Sequence, residues 1–171
     1  MQGYVQVYTG DGKGKTTAAL GLALRAAGAG LKVFIGQFIK SAPYSEIKAL
    51  ERFADQITIQ QFGRGCFIRG TPCQADVDVA RQALAAIGEA LTSGRYDVVV
   101  ADEANVAFGC KLISEADLVD LIHKRPPQVE LILTGRNAPP AVIAEADLVT
   151  EMKPVKHYFE KGIMARKGIE S

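Results

Sequence analysis

The sequence predicts an α/β fold, with a mostly parallel central sheet and helices on both faces. Three observations predict it. Apolar β-type runs alternate with helical patterns along the whole chain. Val98-Val99-Val100-Ala101 and Leu131-Ile132-Leu133 are apolar without polar alternation, as in strands covered on both faces. A glycine-rich run, Thr9-Gly10-Asp11-Gly12-Lys13-Gly14-Lys15-Thr16-Thr17, joins the first strand-like segment to an alanine- and leucine-rich helix. No repeat, low-complexity tract or linker divides the chain, so one domain over residues 1–171 is expected.

The expected strands are Tyr4–Tyr8, Lys32–Phe38, Gln56–Gln61, Asp97–Asp102, Glu130–Thr134 and Asp147–Glu151. Leu20, Ala23, Leu24 and Ala27 fall at i, i+3, i+4 and i+7 of a first helix, which Gly28 and Gly30 end. Val77, Ala80, Leu84, Ile87 and Leu91 form a second apolar stripe closed by Gly94. Ser114 and Asp117 make a capping-box start for a third helix, which must stop before Pro126-Pro127. Strand order is not readable from such patterns.

Apolar residues at 48% and charged residues at 23% suit a soluble globular chain. A net charge of +1 gives no basis for bulk attraction to nucleic acid or to an anionic membrane. No apolar stretch is long enough to span a bilayer and no signal peptide precedes Gly3, so a cytoplasmic location is expected. Cys66, Cys73 and Cys110 lack CxxC spacing and read as reduced thiols.

The glycine-rich run has the context of a phosphate-binding loop. Its glycines let backbone N–H groups converge on phosphate oxygens, and the following helix adds the positive end of its dipole. Gly10, Asp11, Gly12, Lys13, Gly14, Lys15, Thr16 and Thr17 are therefore the expected nucleotide-binding residues. Lys15 would reach the outer phosphates, and Thr16 would place its hydroxyl on Mg²⁺ or Mn²⁺. The usual spacing wants a glycine where Thr9 stands; the first glycine, Gly10, comes one residue late.

Asp102 and Glu103 close the Val98–Ala101 run, where a metal-supporting carboxylate belongs in such a fold. Asp102 is the expected metal residue with Thr16; the ordinary alternative is an acid capping a turn. Glu103 could position water, hold ribose or support a metal ligand. Gln37-Phe38-Ile39-Lys40, the loop from Gly63 to Arg69 with Phe67, and Thr134-Gly135-Arg136 all follow strand C-terminal ends, the ligand-binding edge of open α/β sheets. Gln37, Lys40 and Arg136 are expected at the nucleotide on that ground, although core packing for the phenylalanines and surface solvation for the arginines explain them as well. The segment after Met152, with His157, is basic and could fold over a polyanion or be a solvated face. His123 reads as structural.

Together these stretches resemble the P-loop ATP:corrinoid adenosyltransferases, from Gly3 to the end of the chain. The resemblance rests on Thr9–Ala19, Gln37-Phe38-Ile39-Lys40, Asp102-Glu103, Thr134-Gly135-Arg136, and Pro154-Val155-Lys156-His157 with Gly168-Ile169. The late glycine is normal in that family. The resemblance implies a RecA-like P-loop NTPase fold, a homodimer, and transfer of the 5′-deoxyadenosyl group of ATP to reduced cobalt of a corrinoid (cobalamin, cobinamide or cobyrinic acid diamide), with triphosphate leaving. A flavin-type reductant protein is an implied partner. By position, Gly12, Gly14, Lys15, Thr16 and Thr17 would hold triphosphate and metal, Asp102 would assist the metal, and Glu103 would contact nucleotide or metal. Phe67 matches an aromatic position that keeps the lower axial ligand off cobalt. A tryptophan found near that position in some relatives is missing, since the chain has no Trp, and the N-terminal extension that caps the site in some relatives has no counterpart before the first strand. Without the resemblance the motifs imply a magnesium–nucleotide enzyme, leaving open an ATPase or phosphotransferase that forms ADP, or a nucleotide-binding regulator.

Overall fold

The computed structural model describes residues 2–42, 44–65 and 71–170. In chain order the elements are β1 (Val5–Thr9), α1 (Lys15–Gly28), β2 (Val33–Phe38), α2 (Ser45–Leu50), β3 (Ile57–Phe62), α3 (Gln74–Thr92), β4 (Val98–Asp102), α4 (Ala104–Gly109), α5 (Glu115–Lys124), β5 (Glu130–Thr134), α6 (Pro140–Glu145) and β6 (Leu148–Glu151). The strands form one six-stranded sheet in the order β3-β2-β4-β5-β1-β6, parallel throughout. The expected α/β class is therefore borne out, and β5 lies between β1, which leads into the glycine-rich loop, and the Asp102 strand β4.

Alternate residues of the buried strands feed two apolar layers. Val98 and Val100 of β4 and Ile132 of β5 pack with Ala19, Ala23, Ala26 and Ala27 of α1. Val99, Leu131 and Leu133 point the other way, into a larger core with Ala83, Ile87 and Leu91 of α3 and Leu118, Leu121 and Ile122 of α5. Helices cover both faces, which is why the strands can be apolar at every position.

The buried face of α1 departs from the expected stripe. Leu24 is 43% exposed, and alanines face the sheet instead. Small side chains let the helix lie close to the strand ends, which keeps its first turn at the sheet edge. The Ser114–Asp117 capping box forms as expected, with Asp117 N–H donating to Ser114 Oγ and Ser114 N–H to Asp117 Oδ2. α2, α4 and α6 were not expected: each spans six residues, too few for a helical period to show. No helix among the described residues is long and apolar enough to cross a membrane.

Candidate functional site

Because every strand runs the same way, the C-terminal ends of β1, β2, β4 and β5 share one edge of the sheet. The glycine-rich loop leaves β1 at that edge. Gly10 adopts φ +93, and a Cβ there would stand 2.4 Å from the Met152 carbonyl oxygen. Gly12 N–H donates to that oxygen at 2.7 Å, and Met152 N–H donates to Thr9 O at 2.9 Å. Thr9 itself still belongs to β1, paired with Glu151 of β6, and its hydroxyl accepts the Ala138 N–H at 3.1 Å. The late glycine thus goes with a longer strand: β1 runs on through Thr9, whose hydroxyl is used by Ala138, and the left-handed turn begins one residue on, at Gly10.

Lys15 folds back over the loop it follows. Its Nζ donates to Gly10 O at 2.7 Å and Gly12 O at 2.8 Å. Burial, followed by the charge of Arg136, lowers its pKa against the pull of Glu103 and Asp11. Gly14 begins α1 without a side-chain cap, so the first turn, Lys15 to Thr17, presents its polar groups to the adjoining cavity of about 760 Å³.

Asp102 is the centre of the polar edge. Its Oδ1 accepts from Thr16 Oγ1 at 2.9 Å and from Thr134 Oγ1 at 2.7 Å. Its Oδ2 accepts from Gln37 Nε2 and Lys40 Nζ, both at 2.9 Å. β2 and β4 set Gln37 opposite Asp102 in the sheet register. Lys40 is held charged: burial alone would lower its pKa, but the charge and hydrogen bond of Asp102 outweigh it and raise it.

Glu103 follows in a left-handed conformation, φ 60 and ψ 20, and starts α4. Its N–H donates to Thr134 Oγ1 at 2.9 Å, and its carboxylate lines the cavity. Burial and then the neighbouring Asp102 charge raise its pKa, with Lys40, Lys15 and Arg136 opposing. Such a backbone outlier beside a perturbed carboxylate is common at reacting sites.

The structure brings most of the expected residues to one place. Asp11, Gly12, Lys13, Gly14, Lys15, Thr16, Thr17, Lys40, Glu103 and Arg136 line the cavity, with Asp102 and Gln37 buried behind them. Gly10 contributes its carbonyl to Lys15 rather than to the cavity wall. Arg136 reaches only to 3.8 Å from Asp11 Oδ1, and its side chain is 60% exposed. Lys13 turns to the C-terminal segment instead, meeting Glu170 Oε1 at 3.0 Å and Tyr158 OH at 3.1 Å. Phe67 lies outside the described residues. His123 pairs with Glu145 on the surface, away from the cavity.

Sequence reasoning missed the parts played by Thr134, Gln61 and Glu170. Thr134 holds both Asp102 and Glu103, although the Thr134-Gly135-Arg136 run pointed to Arg136. Gln61 donates to Gln37 Oε1 at 3.0 Å and fixes which end of that amide faces Asp102. The segment after Met152, expected either to fold over or to be a solvated face, forms a wall of the cavity through His157, Gly168, Ile169 and Glu170, of which Glu170 was not singled out. A polar residue at the last position of an otherwise apolar strand is the signal that could have found Thr134.

The Thr16 hydroxyl and Asp102 carboxylate are hard oxygen donors in mutual contact beside the glycine-rich loop, a donor set that fits Mg²⁺ carrying most of its water. Among the described residues no group of three or more His, Cys, Asp or Glu gathers to hold a metal by protein ligands alone.

Residues 1–171 match the family model described as ATP:corrinoid adenosyltransferase BtuR/CobO/CobP. The chain belongs to the ATP:corrinoid adenosyltransferase family. It is 36% identical over 170 residues to a corrinoid adenosyltransferase of Pseudomonas aeruginosa, covering 99% of this chain and 84% of that one. It is 34% identical over 170 residues to the corrinoid adenosyltransferase of Escherichia coli K12, covering 99% and 86%. Corrinoid adenosyltransferase CobA of Salmonella typhimurium is 34% identical over 171 residues, with the same coverage. Membership in the adenosyltransferase family favours alkyl transfer over the ATPase and phosphotransferase alternative, and it takes in the loop, Asp102-Glu103 and the C-terminal wall within one matched span.

Proposed function

We propose that this protein transfers the 5′-deoxyadenosyl group of ATP to Co(I) of a corrinoid, cobalamin or a precursor, and releases triphosphate, in adenosylcobalamin synthesis or salvage. The whole-chain family match carries the proposal. In the reaction the cobalt electron pair forms the Co–C5′ bond as the C5′–O bond breaks, and the departing oxygen takes that bond's electrons onto triphosphate. Co(I) is a strong nucleophile, so no side chain need remove a proton.

The protein's share is placement and charge. Thr16 and Asp102 would hold Mg²⁺ or Mn²⁺, which when bound neutralises charge on the triphosphate. Gly12, Gly14 and Thr17 would grip phosphate oxygens through the loop and the first turn of α1. Lys15, now held by two loop carbonyls, would exchange those neutral acceptors for phosphate oxygens. Arg136, exposed beside Asp11 on the same wall, would add a cation to the leaving group. Glu103 would hold a nucleotide hydroxyl or a metal-bound water at the cavity. Phe67 would shield the lower face of cobalt, favouring its reduction, with electrons from a flavin-type reductant protein. A cytoplasmic homodimer is the setting proposed.

Anaerobic incubation with ATP, Mg²⁺, a corrinoid and a strong reductant should give the light-sensitive spectrum of an alkyl-cobalt product. Lys15→Ala should lower that rate by about 10²–10³-fold, as for loss of one charge-stabilising donor. Full rate in that variant refutes the site. Phe67→Ala should slow reaction from Co(II) more than from pre-reduced Co(I).

A further inference from the structure

Asp102 has no free acceptor site. A carboxylate offers about four lone-pair positions, and here Thr16, Thr134, Gln37 and Lys40 take two on each oxygen. A divalent cation that bonds Asp102 must therefore displace one of these donors. Thr134 and Gln37 are fully buried, and each is held from a second side, Thr134 by the Glu103 N–H and Gln37 by Gln61. Thr16 supplies an oxygen that the cation would itself use.

Lys40 differs from the other three. It alone is charged, its side chain is 17% exposed, and it lies on the cavity wall while Asp102 is 1% exposed behind it. Its Nζ is 2.9 Å from Asp102 Oδ2 and 3.3 Å from Thr16 Oγ1, between the two oxygens that would bind a metal. The backbone delivers it there under strain. Ile39, a β-branched residue, has φ 63, and its N–H is tied to Phe62 O at 2.8 Å. Gly63 packs so closely on this turn that a Cβ would stand 2.6 Å from Ile39 C and 2.7 Å from Lys40 O.

We propose that the Lys40 ammonium is a resident cation of this site, displaced from Asp102 and Thr16 when the divalent metal binds. Displacement leaves an ammonium on the cavity wall beside the phosphate loop, so metal entry and the arrival of a second cation for a polyphosphate are one event. Loss of Lys40 therefore affects two measurements differently. Metal binding to the nucleotide-free protein improves, because the competitor is gone. Binding of the metal–nucleotide complex does not improve, because the freed ammonium is missing. The proposal rests on Thr16 and Asp102 as the metal-binding pair.

The test is Mn²⁺ binding to the nucleotide-free full chain, followed by electron paramagnetic resonance. Lys40→Met should bind Mn²⁺ about tenfold tighter or more, the scale of one hydrogen bond to a charged group, and the gain should vanish in the Lys40→Met/Asp102→Asn double variant. Lys40→Gln, which keeps a neutral donor, should show the gain if Lys40→Met does not fold. Equal or weaker Mn²⁺ binding by the folded variant, no detectable binding by either protein included, overturns the proposal. So does a gain that survives loss of Asp102. The measurement uses neither ATP nor corrinoid, so failure of the adenosyl-transfer assay would not be mistaken for failure here.

Discussion

The Thr134 hydroxyl donates to Asp102 Oδ1 at 2.7 Å while accepting the N–H of Glu103 at 2.9 Å. One buried side chain on β5 thus holds both the acid that ends β4, Asp102, and the one that follows it, Glu103. It does so from β5, the strand that lies between β1 with its glycine-rich loop and the Asp102 strand β4.

Thr134→Val removes that donor and acceptor at nearly constant volume. It should cost about 1–3 kcal/mol, the penalty for leaving buried polar groups unpaired, and Thr134→Ser should recover most of it. Urea unfolding of the three proteins makes the comparison, and an unchanged midpoint for the valine variant would show that Asp102 does not depend on Thr134.

Gly10→Ala places a methyl group against the Met152 carbonyl in a left-handed turn. It should destabilise the fold by more than about 1 kcal/mol and weaken ATP binding by shifting the loop that carries Gly12 and Gly14. Thermal unfolding and calorimetric ATP titration read the two effects. Wild-type values in both would refute the strained-turn account of the late glycine.

Burial and the Asp102 charge raise the Glu103 pKa, so the folded protein holds this proton more tightly than the unfolded chain does. The stability it contributes is then complete below the ordinary glutamate value of about 4.3 and is lost as pH rises through the raised value. Glu103→Gln should make the unfolding temperature fall less from about pH 4 to pH 8 than in the parent protein. Parallel curves would contradict the shift.

Glu170 binds Lys13, Tyr158 and Arg166 and so pins the C-terminal segment to the glycine-rich loop. Hydrogen bonds from Arg166, then from Tyr158, hold its pKa well below the ordinary carboxylate range. Glu170→Gln should expose the segment to trypsin at Lys161 and Arg166 several-fold faster under native conditions. An unchanged cleavage rate would mean that Glu170 is not what holds it.

The six strands were legible because each is a short apolar run, with ends displaced by at most a residue or so: Tyr4–Tyr8 became Val5–Thr9 and Gln56–Gln61 became Ile57–Phe62. Their order was not, since it is fixed by contacts between distant parts of the chain. The linear motifs around Lys15 and Asp102 were legible for the opposite reason, their chemistry being written in neighbouring residues. Ala23 and Ala27 of the expected stripe are buried, but Ala19 and Ala26 complete that face in place of Leu24, because apolarity alone does not reveal how closely a helix approaches a sheet. Glu170 could not be assigned to Lys13, 157 residues away in sequence.

Product identity tests the central claim most directly. In an anaerobic reaction with ATP, Mg²⁺ and reduced corrinoid, phosphorus resonance and ion-exchange analysis should find intact triphosphate in equal amount to the alkyl-cobalt product. ADP or orthophosphate formed with no alkyl-cobalt product would contradict adenosyl transfer and restore phosphoryl transfer as the chemistry of this loop.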